Sequence, residues 1–183
     1  MLIDSSNSSL LLIDVQRKLF PKIYDYKPLE NIILDCLDVF FTLDIPIFFS
    51  EQYPKGLGST IDKVHEKLLS YNAHKFEKTS FSCFPAASQH INESQLLKSR
   101  QVILIGIETH IRVLQTAMDL KVKGYDVFVI FEAVGSRKNH DKELAVKRMT
   151  NNGIQVVTFE MMLFELLRDS KNKHFKNLSS LIK

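Results

Sequence analysis

Two places in this chain put reactive side chains where a buried backbone run ends. The first is Gly106-Ile107-Glu108-Thr109-His110-Ile111-Arg112. Before it, residues 102–105 (VILI) form an unbroken apolar run, the pattern of a strand covered on both faces. After it, Ile111, Leu114, Ala117 and Met118 recur at helical spacing. Thr109 can cap that helix, and Lys121, Lys123 and Gly124 mark its end. A helix amino end offers free N–H groups and partial positive charge, so the chemistry suited to this turn is stabilisation of an anion or a thiolate. The second place is Asp14, which closes the apolar run of residues 9–15, SLLLIDV. Ligands of open parallel sheets sit beyond the carboxyl ends of strands. Asp14 is therefore either an acid/base group or simply a turn or cap residue.

The elements that must carry these groups alternate along the chain. Strand runs are legible at residues 9–15, 45–50, 101–105, 125–131 and 154–157. Between them lie helical patterns: one opened by Pro28 with an apolar face from Leu29 to Phe41, one over residues 60–70, one starting at Asn139 or Asp141, and one, FEMMLFELL, capped by Thr158. Such alternation predicts a doubly wound α/β domain with a parallel sheet. Cys36 falls on the first helix's apolar face and reads as core, and Met161–Met162 reads as gap-filling packing. Phe175, Leu178 and Ile182 are spaced as a small amphipathic helix in the tail, expected to dock.

The segment GIETHIRVLQTA resembles the signature of the isochorismatase-like cysteine hydrolases, in which a cysteine nucleophile stands six residues after the glycine. Here that position is Arg112. DVQRKLF resembles the segment that carries the family's general base, which implies Asp14 as base and Gln16 and Phe20 as pocket residues. FEKTSFS resembles the segment with the second triad member, which implies Lys78, with Phe81 lining the pocket. EQYPKGLG, beginning at Glu51, resembles a subgroup of isochorismatase domain-containing proteins. Glu51 is then either a pocket residue or a solvated loop charge. EAVGSR resembles another family turn. The resemblance implies a three-layer α/β/α, Rossmann-like fold with six parallel strands, one domain over residues 1–183, and assembly as a homodimer or larger homo-oligomer. It also implies a cis peptide at Ile107–Glu108, whose turn supplies oxyanion-stabilising N–H groups. Nicotinamidase relatives place metal ligands near Glu51, but no histidine occurs there before His65, so no metal site and no cofactor are expected.

Composition narrows the rest. Hydrophobic residues at 45% and charged residues at 25% are ordinary globular values. No apolar run approaches the roughly 20 residues of a membrane helix, and MLIDSSNSS does not read as a secretory signal. Two cysteines make no disulfide framework, so a reducing, cytoplasmic setting is the expectation. The formal charge of +3 is carried by four tail lysines, which leaves the body about neutral and argues against nucleic acid.

Arg112 decides the functional reading. A guanidinium has no lone pair for attack. It also adds a fixed positive charge beside Lys78 at a helix amino end, which requires an answering anion: Asp14, with Glu108, or a bound small anion. Otherwise Arg112 must turn away to solvent or to a subunit contact. Three functions stay open. In the first, the fold has lost cysteine-hydrolase chemistry and serves as a binding or assembly protein. In the second, the chain is still a hydrolase or lyase, with Asp14 as acid/base and Arg112 holding a small anionic substrate; isochorismate cleavage within the family proceeds without the cysteine. The third is nucleic-acid binding. Cys83 is the other thiol near the site, but it sits on the wrong segment for a relocated nucleophile.

Overall fold

The computed structural model describes residues 1–90 and 99–182. Six parallel strands form one sheet: β1 (Ser8–Ile13), β2 (Ile47–Gln52), β3 (His74–Lys78), β4 (Gln101–Ile107), β5 (Asp126–Gly135) and β6 (Gln155–Val157). Their spatial order is β3-β2-β1-β4-β5-β6, so the direction of winding reverses between β1 and β4. Helices α1 (Tyr26–Thr42), α3 (Asp62–Ser70), α7 (Phe159–Leu167) and α8 (Phe175–Ser179) supply one core layer. Helices α4 (Phe84–His90), α5 (Leu114–Val122) and α6 (Asn139–Asn151) supply the other. A one-turn helix α2 (Pro54–Leu57) follows β2. The two apolar layers explain why β1, β2 and β4 are buried along their whole length and each contains an unbroken apolar run, Leu10–Ile13, Ile47–Phe49 and Val102–Ile105.

The reversal point is built by close backbone approach. Ile13 pairs with Gly106 across β1 and β4. A Cβ at Gly106 would lie 2.3 Å from the Ile13 carbonyl oxygen, and the residue has φ +116°. Only glycine satisfies both conditions. The chain then passes through a cis peptide at Ile107–Glu108.

Several local expectations change. Lys78, expected in a loop, is the last residue of the edge strand β3. That strand is inconspicuous because His74, Lys75 and Glu77 are exposed and only Phe76 buries an apolar side chain. Glu51 lies within β2, buried, and not in a solvated loop: its Oε1 accepts from the Thr60 N–H at 2.7 Å and hydroxyl at 2.9 Å. Thr109 does not cap. The helix opens as a π turn, Thr109–Val113, in which the Ile111, Arg112 and Val113 N–H groups converge on the Glu108 carbonyl. The Thr109 hydroxyl is buried with no hydrogen-bond partner among the described residues. α1 begins at Tyr26, so Pro28 is its third residue, still among the positions whose N–H has no intrahelical acceptor. β5 runs through EAVG to Gly135, with a register shift opposite Leu104–Gly106. Of the methionine pair, Met162 is buried and Met161 is half exposed.

Other expectations stand. Thr158 caps α7 by accepting from the Met161 N–H, and Cys36 is wholly buried in the core. The tail forms α8 and docks, with Leu178 in the core and Phe175 and Ile182 packed against it.

Candidate functional site

Each polar group at the reversal point is delivered by the end of a strand. Asp14 directly follows β1, and its φ of 47° turns the chain sharply. β2 contributes Ser50 and Gln52, β3 contributes Lys78, and the turn after β4 contributes Glu108 and Arg112. All six are buried.

The centre is the Asp14 carboxylate. Its Oδ2 lies 2.5 Å from Lys78 Nζ and 3.2 Å from Arg112 Nε. Its Oδ1 accepts from the Ser50 hydroxyl at 2.6 Å. Lys78 Nζ also donates to the carbonyls of Ser80 at 3.1 Å and Phe81 at 3.2 Å, so its orientation is fixed. Arg112 turns inward. Its Nε donates to Gln52 Oε1 at 2.6 Å, its Nη1 pairs with Glu108 Oε2, and its guanidinium carbon lies 5.7 Å from the centre of the Phe81 ring. Glu108 is shared, since its Oε1 lies 2.9 Å from Nε of the half-exposed Arg137. The buried set therefore holds two carboxylates, Asp14 and Glu108, against two cations, Lys78 and Arg112, and is neutral without any bound ion.

Burial pushes the Asp14 carboxyl above its usual range. The Lys78 charge and hydrogen bond, the Ser50 hydroxyl and the Arg112 charge work in the opposite direction. Cys83 stands behind this centre, with its Sγ donating to Ser50 Oγ at 3.3 Å. Burial pushes its thiol up to about 11, although the Lys78 charge pulls it down. The Cys83 N–H donates to Thr116 Oγ1, and that hydroxyl donates to the Arg112 carbonyl. The loop of Cys83 and the turn of Arg112 are thus tied together.

The raised thiol carries a stability consequence. Between pH 9, the ordinary thiol value, and pH 11, the unfolded chain loses the Cys83 proton while the folded chain keeps it. Stability therefore falls as pH rises through this window, by about 3 kcal/mol for a shift of this size. Chemical denaturation at pH 8 and at pH 11 checks this. Cys83→Ala is expected to lose less stability over the interval than the wild type; equal losses would contradict the burial of the thiol.

The other pocket candidates are placed as follows. Gln16 is wholly buried, accepting from the Gln52 N–H and donating to the Gln52 and Gly58 carbonyls, so its amide clamps the loop after β2. Phe20 packs in the core against Tyr26, edge to face. Glu51 is engaged by Thr60 and by Lys75, 2.8 Å away. Phe81 is half exposed and covers Arg112. Sequence reasoning does not single out Ser50, Gln52 or Arg137. Ser50 and Gln52 are polar residues inside a buried strand, and that placement is their only signal. Among the described residues, no three His, Cys, Asp or Glu side chains group as a metal site.

The chain matches the family model described as the Isochorismatase domain over residues 8–161. It belongs to the isochorismatase family. It is 38% identical to isochorismatase family protein 1A of Dictyostelium discoideum over 178 residues, 95% of this chain and 85% of the relative. It is 35% identical to isochorismatase domain-containing protein 2A of Mus musculus over 177 residues, 97% of this chain and 83% of the relative. In structure it is similar to the MAR1 ribonuclease of Caenorhabditis elegans, with a TM-score of 0.90 and 36% identity, covering 100% of this chain and 92% of that one. The six-stranded parallel sheet with helices on both sides is the fold these proteins share. No helix among the described residues is long and apolar enough to cross a membrane.

Proposed function

We propose that this isochorismatase-family chain has given up cysteine-hydrolase chemistry and acts as a binding or assembly protein. One observation carries the reading: the side chain at the nucleophile position, Arg112, lies buried against the group that would serve as base, Asp14. A guanidinium cannot attack a carbonyl. Asp14 accepts hydrogen bonds from Lys78 and Ser50 and lies in ion-pair contact with Arg112, so both of its oxygens are engaged. Cys83 offers no replacement, because it is fully buried and its thiol is held protonated at neutral pH. The alternative of an anionic substrate held by Arg112 is disfavoured because Nε and Nη1 are spent on Gln52 and Glu108, which leaves only Nη2 to meet it, and the buried charges already balance. The two thiols, free and buried, suit a reducing, cytoplasmic compartment.

The test is an activity panel on the wild-type protein: small primary amides, isochorismate, acidic carboxylates and, because the C. elegans relative is described as a ribonuclease, RNA. The expected result is no turnover above buffer. Turnover in the wild type that disappears in Asp14→Ala would overturn the reading.

A further inference from the structure

The sheet has two edges, and they differ in kind. β6 is three residues long. β3 is five residues long and pairs with β2 in unbroken register from His74 to Lys78. It contains neither proline nor bulge, two of the devices by which proteins blunt an edge.

In a parallel pair only alternate residues turn their backbone groups to the neighbouring strand. The Tyr53 N–H bonds to the Lys78 carbonyl, which sets Lys78, and so Phe76 and His74, as the residues facing β2. Lys75 and Glu77 therefore point their N–H and C=O groups away from the sheet. Among the described residues no other backbone or side chain bonds to them. Their side chains share one face of the strand, Lys75 Nζ lying 3.0 Å from Glu77 Oε1 and 2.8 Å from Glu51 Oε2. The charge that would normally repel another strand is already balanced.

We infer that β3 is a self-complementary edge at which a second copy of this chain adds antiparallel, about a two-fold axis through Phe76. That axis sets Lys75 of one copy opposite Glu77 of the other, and Glu77 opposite Lys75. Each such couple is a hydrogen-bonded pair that exchanges two backbone bonds, giving four across the axis. Each couple also sets a cation directly across from an anion, the favourable cross-strand arrangement. Antiparallel pairing brings the His74 end of one strand to the Lys78 end of the other. The first end is flanked by the stacked Phe41 and Tyr71 rings, with Phe41 47% exposed. The second is flanked by a cleft of about 590 Å³ that includes Tyr53, 58% exposed. The aromatic rings of the first end thus meet a cleft of mixed lining, Tyr53, Pro54 and Pro85 beside Lys55 and Thr79, and two six-stranded sheets become one.

Sedimentation velocity over a wide concentration range is expected to find a wild-type dimer and a monomeric Glu77→Pro. The Glu77 N–H does not serve β2, so proline there removes inter-copy bonds while leaving β3 in place. A positive test uses oxidation of mixed chains. Cα atoms of a hydrogen-bonded antiparallel pair stand about 5.5 Å apart, inside the range a disulfide spans. Lys75→Cys mixed with Glu77→Cys is expected to cross-link, while neither does so alone; the native thiols are both fully buried. Lys75→Cys takes the partner from Glu51, so its fold is checked by circular dichroism, and Glu77→Pro decides the question if that chain does not fold. A wild-type monomer, a dimer that survives Glu77→Pro, or cross-linking no greater in the mixture than in single chains would each overturn the inference.

Discussion

Asp14→Ala is expected to cost roughly 3–5 kcal/mol of folding stability, the penalty of leaving buried charge without its counter-ion. The deletion leaves Lys78 and Arg112 facing one another across a vacated carboxylate, with Glu108 as the remaining buried anion. Lys78 would keep only the Ser80 and Phe81 carbonyls. For a domain whose total stability is of order 5–15 kcal/mol, this is a large fraction. The measurement is the denaturant midpoint of wild type and variant at neutral pH. The result separates two roles for the same carboxylate. A base kept for catalysis in an open pocket is removed at little cost to folding, whereas an aspartate that neutralises a closed cluster is not. A loss below about 1 kcal/mol, the scale of an exposed ion pair, would mean that the cluster is solvated. Lys78→Met combined with Asp14→Leu should recover most of the loss, since removing both members of a buried pair is often neutral.

Arg112→Cys has the second large effect, and it appears in reactivity. The substitution shortens the side chain, withdraws the guanidinium from Asp14 and leaves Glu108 to Arg137. A thiol at this position stands at a helix amino end near Lys78, two influences that lower a thiol pKa below about 8.5. Intact-mass analysis after iodoacetamide treatment of the folded protein is expected to find one alkylated cysteine in the variant and none in the wild type, whose two thiols are buried. The alkylation rate should persist below pH 7, and should fall in the same variant carrying Lys78→Met. If the introduced thiol resisted alkylation, the strand ends would no longer be arranged to activate a nucleophile.

How much of this is legible in the sequence depends on what each residue faces. β1, β2 and β4 are covered on both sides, so their apolar runs announce them, and Gly106 marks the turn because only glycine tolerates the Ile13 carbonyl so close. β3 reads as loop because an edge strand buries only alternate side chains, and one phenylalanine makes a weak signal. Asp14 and Lys78 stand out by likeness, since a single carboxylate at a strand end and a single lysine have ordinary explanations. That Arg112 needs an anion follows from charge alone. Which groups answer it depends on side-chain direction, and the roles of Gln52 and Arg137 come only from coordinates. The Thr109 cap fails for a geometric reason: the chain leaves the cis peptide into a π turn whose first N–H groups gather on the Glu108 carbonyl.

The strand that delivers Lys78 is held by the sheet on one side only. Outermost strands are the first to open in local unfolding, because fewer bonds must break. Yet the last residue of β3 is anchored to Asp14, on the second strand inward, by the 2.5 Å ion pair. That link reaches across β2 and acts as a rivet between the fraying margin of the protein and its most protected interior. The charge arrangement thereby has a mechanical use that needs no chemistry: it resists the opening of the margin, where exposed backbone would otherwise invite disordered aggregation. Under the proposed function, the Asp14–Lys78 pair beside Arg112 is then what mechanical necessity would produce, with no residual turnover required.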